Sequence, residues 1–558
     1  MRALDSVPSV RRPRNNFNKS HRVAMTMKVG LLHPVDIVEV LPGETWRYKP
    51  ASLSRLTTTL IRPIMDDMYL DTYSFFVPLR ILYDKLENVF GDVKPSAYAD
   101  PELATIPGIP PRTPFQVTPG SVADYLGLPS SLVAGPDISD AVQHGYRSVM
   151  PFRAFAFLYN EYFLPQSVGQ PVNIHFGEYD ASENPNGNAW SPTNYTGMLP
   201  PVRRYGDLYS TCLPAPQKGP AVKIPGFDAS APVLASNITH DVSTFPIRVN
   251  YSGSPAPTGA SYLGFTVGSD NRLKAYQIPE ATGTPYSGTV SFSNLWADNS
   301  GIDEANINNL RTAFQLQKYL ERDAIYGSRY REYLYAAFGV TSPDARMQIP
   351  EFLGGSHNRL NIAQIPSMSS ASNYEIGQYA ANINSLSEKS GKFTKSFTEH
   401  GYIITVACIR YKHLYSQATN ALWFREDRND FYDPLFAHLG MQAIQTKELM
   451  PYFGTSPGDT DTQVFGYNEA FASYRTIPDR VAGQMRPEEG NIGQYWSLAD
   501  RFENRPSLQD LVWEDTETFN RVISASDDLV DPFVVDFFFE CSVASTVSRF
   551  GSPGFADH

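Results

Sequence analysis

Proline falls throughout this chain, 44 times in 558 residues and from Pro8 to Pro553. Each proline removes a backbone donor and holds φ at about −65°, which interrupts helices and excludes most central sheet positions. A chain punctuated in this way is confined to short elements joined by turns. Between the breaks lie runs of aromatic and β-branched residues that suit strands. Tyr69 to Val77 and Tyr402 to Tyr411 are two such runs, and the second is apolar on both faces for most of its length, so both read as central strands. Val35 to Val40 alternates with acidic residues and enters Leu41-Pro42-Gly43-Glu44, where Pro and Gly suit the middle of a type II turn. Trp46 and Tyr48 continue the return strand, and Pro532 to Phe539 supplies another near the C-terminus. At 13% aromatic residues the chain is too apolar for disorder. Short, proline-bounded strands of this kind indicate a mainly β protein, a sandwich or a jelly roll, with loops large enough to lean on neighbouring subunits.

One segment departs from this pattern. Ile307, Leu310, Phe314 and Leu320, with Ala313 and Ala324, recur every three or four residues along one side of a helix that Asp303 can cap. Tyr330, Leu334 and Phe338 continue in a second helix, with Ser328 available as N-cap and Gly339 as its left-handed stop. The spacing predicts two helices over 302–339, hinged near Gly327, whose apolar stripes pack on a core, bracing the barrel or a neighbouring subunit.

The wording of this segment carries more than its periodicity. NNLRTAFQLQKYLERDAIYGSRYREYLYAAFGVTSPDARMQIPEFLGGS closely resembles the corresponding part of the major capsid proteins of microviruses, small tailless single-stranded DNA phages, and most of all their gokushovirus-like branch. The resemblance continues in FNKSHRVAMTMKVGLLHPVDIVEVLPGETW, LDTYSFFVPLRILYD, RRYGDLYSTCLPAPQKGPAV, GKFTKSFTEHGYIITVACIRYKHLYSQ, FYDPLFAHLGMQAIQTKEL and VFGYNEAFASYRTIPDRVAGQMRP, in family order and nearly end to end. It implies a single eight-stranded antiparallel jelly roll over 29–558 with large loop and helical insertions. It also implies a T=1 icosahedral shell of sixty copies around circular single-stranded DNA. The partners it implies are an internal scaffolding protein, a small basic DNA-binding protein, a DNA pilot protein and a host surface receptor. The virion would be assembled in the bacterial host cytoplasm.

The charge fits that division of labour. A net −12 is the wrong sign for a protein that neutralises a genome unaided. The first 28 residues are the exception: Arg2, Arg11, Arg12, Arg14, Lys19, Arg22 and Lys28 against Asp5 give 7 − 1 = +6. This basic arm is a candidate DNA-facing element through Arg11, Arg12, Arg14, Lys19 and Arg22, or else a grip on neighbouring subunits. The stretch 226–300, rich in small and polar residues, is the least family-like. The resemblance places an insertion there on the outer surface as a protrusion. Tyr251, Tyr262, Phe265 and Tyr286, with Trp296, are then candidate receptor-facing aromatics, or the filling of the insertion's own small core.

Signals for chemistry are poor. HExxH and GxSxG are absent, and SGKFTKS lacks the upstream Gly and the GK[ST] ending of a phosphate loop. His400, His413 and His438 are isolated and read as packed or surface residues. The pairs Asp66/Asp67 and Asp459/Asp461 read as solvated turns rather than cation sites. Cys212, Cys408 and Cys541, odd in number and far apart, predict reduced, buried thiols. Arg203-Arg204-Tyr205 and the run from Phe424 to Asp430 are polar interface elements or internal ion-pair networks. No apolar run approaches the ~20 residues that span a bilayer. No enzyme, cofactor or metal is expected. A β-rich carbohydrate-binding or glycan-cleaving protein is the alternative that the aromatic content alone supports.

Overall fold

The apolar runs of the sequence pair antiparallel into two sheets. In the computed structural model, β1 (Asn15–Asn18), β2 (His21–Met27), β3 (His33–Val40), β4 (Thr45–Leu56) and β5 (Met68–Pro78) come early in the chain. They are followed by β6 (Glu351–Leu360), β7 (Ser385–Ser387), β8 (Phe393–Ser396), β9 (Gly401–Tyr411) and β10 (Phe533–Ser545). One sheet has β10 at its centre, paired with β1 and β2 on one side and β4 on the other, while β7 and β8 pair with the far side of β4. The second runs β6-β5-β9-β3. The structure describes residues 13–57, 60–62, 64–91, 104–110, 117–129, 146–222, 307–361, 391–451, 463–524 and 531–550, with the backbone of short strands within 233–297 and 364–387. Two compact units result, Met1–Pro216 with Asp323–His558, and Gln217–Arg322.

In the first unit the strand period explains the layers. Along β4, Trp46, Tyr48 and Leu56 are buried while Arg47, Lys49 and Arg55 are exposed. The inward faces of the two sheets share one core. Trp46, Tyr48, Val535, Phe537 and Phe539 come from the first sheet, and Phe76, Ile403, Ala407 and Ile409 from the second. The other face of β9 is buried too: Ile404, Val406 and Cys408 join Phe75, Val77 and the helix α1 (Met150–Leu158) in a second core. A strand covered on both sides reads as a continuous apolar run, as Tyr402 to Tyr411 does. The Pro42-Gly43 turn forms as expected, with Glu44 N–H donating to the Leu41 carbonyl at 3.1 Å and Gly43 at φ +82°.

The helices also form, as α2 (Ile307–Tyr326) and α3 (Tyr330–Phe338), with Gly327 at φ +91° between them and Gly339 at φ +67° ending the second. Two expectations change. The cap of α3 is Arg329 rather than Ser328, its N–H held by the Glu332 carboxylate at 3.2 Å; Asp303 lies outside the described residues. More importantly, no residue of either helix is buried within the chain, and Phe338 is 65% exposed.

The second unit carries the expected strand-rich excursion. Ile247–Ser252, Tyr262–Val267, Leu273–Gln277 and Thr289–Phe292 form a four-stranded antiparallel sheet, and Val233–Ala235 pairs with Leu295–Ala297.

Two buried histidines lock the first unit in different charge states, one protonated and one neutral. His413, just past β9, has Nδ1 at 2.9 Å from Asp500 and Nε2 at 3.0 Å from Glu514, while Arg204 Nη1 donates to Asp500 at 2.8 Å. Burial disfavours the charged ring, but the two carboxylates outweigh it and hold His413 up at about 9. His33 is fully buried with Nδ1–H donating to the Leu31 carbonyl at 3.1 Å and Nε2 accepting the Lys28 N–H at 3.2 Å, a neutral tautomer that burial keeps down at about 4.

His413, raised in the fold, contributes stability that is complete below about pH 6.5 and is lost as pH rises through about 9. His33, lowered in the fold, contributes stability that is complete above about pH 6.5 and is lost as pH falls through about 4. Thermal melts across this range should therefore show a plateau near neutrality that falls on both sides. His413→Phe should remove the part of the alkaline fall centred near pH 9, leave the part near pH 8 that His21 contributes beside Asp36, keep the acid fall, and cost about 3–5 kcal/mol at neutral pH by leaving two carboxylates short of a partner. In β10, Phe539→Ala should cost ~3–5 kcal/mol in denaturant unfolding, because the ring is buried against Tyr48 and Phe537. Phe538→Ala on the outward face, where the ring is half exposed, should stay within about 0.5 kcal/mol.

Candidate genome-facing and attachment surfaces

The basic N-terminal stretch does not stand apart from the fold as one arm over 1–28. Residues 15–18 and 21–27 are β1 and β2, held in register by the C-terminal strand, with Asn15 opposite Ser545 and His21 opposite Phe539. Strand pairing sets the side chains alternately inward and outward, and the cations fall outward beside carboxylates brought from far along the chain. Arg22 Nε donates to Asp536 at 2.5 Å across the β2–β10 pair. Lys19 Nζ lies 3.9 Å from Glu44 and 4.7 Å above the Trp46 ring. Glu44 is itself fixed by the Trp46 Nε1–H at 2.8 Å and the Leu41 N–H at 3.2 Å. Lys28 lies 3.8 Å from Asp531.

These pairings change the electrostatic reading. Lys19, Arg22 and Lys28 meet Glu44, Asp536 and Asp531, so the local sum is 3 − 3 = 0. His21 adds a cation near neutrality, because the hydrogen bond that its ring N–H donates to Asp36 holds it up at about 8, yet that charge too faces a carboxylate, at 3.1 Å. Arg14 differs: its Nη1 donates to the uncharged Thr45 hydroxyl at 3.3 Å, and the side chain is exposed. Arg11 and Arg12 lie outside the described residues. Of the five expected phosphate-facing cations, Lys19 and Arg22 are thus committed to pairs within the chain. Nothing near the N-terminus signals their partners, some of which lie more than five hundred residues away in sequence.

Among the candidate attachment aromatics, Tyr251 lies in Ile247–Ser252 opposite Val290, Tyr262 opposite Arg248, and Phe265 opposite Ala275. Trp296 is opposite Leu234 in the separate two-stranded pair, and Tyr286 lies outside the described residues. The sheet therefore brings the strands of Tyr251, Tyr262 and Phe265 together and leaves that of Trp296 in another pair.

The remaining polar motifs resolve into structure. Arg204 belongs to the buried His413 cluster, Arg203 Nη2 donates to the Ser210 carbonyl at 3.2 Å, and Tyr205 donates to Asp71 at 2.7 Å, so this motif is internal. Asp66 accepts the Ser497 hydroxyl at 3.2 Å and the Leu498 N–H, while Asp67 pairs with Arg359. Both carboxylates have protein partners, and Asp459/Asp461 lie outside the described residues. Lys392 to Ser396 of SGKFTKS runs into the extended strand β8, not a helix N-terminus. The His400 ring stacks on Phe90 at 4.7 Å, and His438 is exposed. All three cysteines are buried free thiols, pushed up to about 12 by burial. Among the described residues, no helix is long and apolar enough to cross a membrane. What stays on the surface is a set of packing and electrostatic surfaces.

Comparison with known proteins agrees over almost the whole length. The chain matches the family described as capsid protein (F protein) over residues 5–555. It is 31% identical over 552 residues to capsid protein VP1 of Spiroplasma virus 4, covering 97% of this chain and 95% of that protein. Against capsid protein VP1 of Bdellovibrio phage phiMH2K it is 31% identical over 551 residues, covering 98% and 96%. Against capsid protein VP1 of Chlamydia phage 1 it is 30% identical over 600 residues, covering 99% and 97%. With both sheets and the insertions inside the matched span, the chain belongs to the capsid protein (F protein) family, as a structural major capsid protein of the gokushovirus-like microviruses.

Proposed function

We propose that this protein assembles with copies of itself into a sixty-copy T=1 icosahedral shell enclosing circular single-stranded DNA. The family match over residues 5–555 carries this reading, since capsid proteins act by associating with one another. The strand order supports the jelly-roll form of the sandwich. Counting β1 with β2 and β7 with β8, the sheets read first, last, third, sixth and second, seventh, fourth, fifth, the interleaving of two Greek keys.

The charge supports a division of labour within the particle. Beyond residue 14 the basic stretch is neutralised in place, so the cations left for phosphate lie in Arg2, Arg11, Arg12 and Arg14. Packaging the genome then rests on a separate small basic protein, with a scaffolding protein during assembly in the host cytoplasm and a DNA pilot protein in the virion. The stretch 226–300, within the strand-rich second unit, serves as a surface protrusion that meets a host receptor through Tyr251, Tyr262, Phe265 and Tyr286. A carbohydrate-active role is not favoured, because the matched relatives are capsid proteins over nearly their full length.

Electron microscopy of the purified protein should show uniform spherical particles; discrete monomers that hydrolyse glycans would reverse the reading. Replacing Arg11, Arg12 and Arg14 together by Ser should lower the salt dependence of single-stranded DNA binding by about two in log–log slope, since each phosphate contact contributes roughly 0.7. An unchanged slope would remove the arm from the DNA. Deleting 226–300 should leave particles intact and abolish host adsorption, and unchanged adsorption would remove the receptor role.

A further inference from the structure

The segment 420–439 holds its apolar side chains outward. Trp423 is 71% exposed and Leu435 83%, with Leu422, Phe431 and Leu439 each more than half exposed, and Ile477 beyond them is 75% exposed. Large apolar side chains exposed together along one short segment of a folded protein mark an interaction surface.

The segment is also rigid by construction. It is built from three short 3₁₀ turns, Ala421–Phe424, Arg428–Asp430 and Pro434–Phe436. Each is pinned by a side chain. Asn420 accepts the Leu422 N–H at 3.0 Å, Asp430 accepts the Glu426 and Asp427 N–H groups at 2.8 and 2.9 Å, and Asp433 accepts the Leu435 N–H at 2.9 Å. Arg425 lies 4.2 Å above the Tyr474 ring, and Tyr432 packs against Phe471 at 5.3 Å, fastening the segment to the unit. Aromatic and leucine anchors held in place before contact lose little entropy on binding.

We infer that this segment is one half of a head-to-tail contact between copies of this chain, and that it seats on the exposed face of α3 in the neighbouring copy. Three observations select that occupant. The chain belongs to a capsid protein family, so its folded partner includes itself. The face of α3 and its exit offer a second, separate apolar surface through Tyr330, Tyr335, Phe338 and Val340, each more than half exposed. The charges oppose: 420–439 holds Arg425 and Arg428 against Glu426, Asp427, Asp430 and Asp433, or 2 − 4 = −2, while 327–347 holds Arg329, Arg331 and Arg346 against Glu332 and Asp344, or 3 − 2 = +1. Two unlike patches on one chain make a heterologous contact, the kind that closes into rings and shells.

The inference rests on the shell reading, and its test separates the two. Trp423→Glu with Leu435→Asp, both at exposed positions, should leave the subunit's melting temperature unchanged and lower particle yield by about tenfold or more. In particles of a variant carrying Leu435→Cys and Phe338→Cys, mild oxidation should give a ladder of disulfide-linked chains on a non-reducing gel. Either single cysteine variant should give none. Wild-type yield from the charged variant, or particles of the double-cysteine variant without a ladder, would overturn the contact and leave the shell standing. Failure of the unsubstituted protein to form particles with its scaffolding protein present would overturn the shell reading itself.

Discussion

The pairing of β10 is the constraint on which the rest of the first unit depends. This strand joins Asn15 to Ser545 on one side and Leu56 to Phe533 on the other, so the two ends of the chain meet in adjacent strands. Its inward residues Val535, Phe537 and Phe539 fill the space between the sheets, and no earlier segment supplies them. The first sheet is therefore incomplete until the last residues are in place. Such long-range closure carries a loop-entropy cost before its contacts form, which makes folding slow relative to a fold of local contacts. It also explains how a basic N-terminus becomes part of a sheet: β1 and β2 would be an edge without a partner if β10 were absent.

How much of this was legible in the sequence depended on whether the determinant was local. The Pro42-Gly43 turn, the Gly339 stop and the central strands β5 and β9 were readable because a turn residue or a doubly apolar run carries its own signal. The pairing of Lys19 with Glu44 and of Arg22 with Asp536 was not, because it needs the register of strands far apart in sequence. For the same reason a formal +6 gave a misleading picture of the N-terminus. The stripe on α2 and α3 is legible as helical, but periodicity reports which side is apolar and never what lies against it, and no residue of either helix is buried within the chain. The buried charge cluster at His413 had no sequence signal beyond an isolated histidine; its partners Asp500, Glu514 and Arg204 come from three separate loops.

Polar groups inside the first unit follow one rule, that each buried charge meets an opposite one. Arg153 and Glu183 are both fully buried, bonded at 2.6 and 2.9 Å, and Tyr195 donates to the same carboxylate at 2.6 Å. The His413 cluster repeats the arrangement with two cations and two anions. Such clusters add little net stability over an apolar filling, but a mispaired alternative would strand a charge in the interior. In a sandwich whose loops are long and whose strands come from both ends of the chain, that penalty discriminates between one loop arrangement and its competitors.

The outer surface obeys a different economy, and the acidic residues of 420–439 illustrate it. Asp430 and Asp433 are there as caps, each satisfying backbone N–H groups of a 3₁₀ turn, and the Asp433 cap fixes the turn that carries the exposed Leu435. The same carboxylates give the segment its negative sign. Shape and charge are thus set by the same side chains, and a partner that fits one must answer the other. A net −12 works in the opposite direction between whole subunits, since like-charged chains repel, and at physiological salt that repulsion is felt only within about 8 Å. A contact then holds only where two complementary patches meet closely enough to exclude water and outweigh the repulsion at that range.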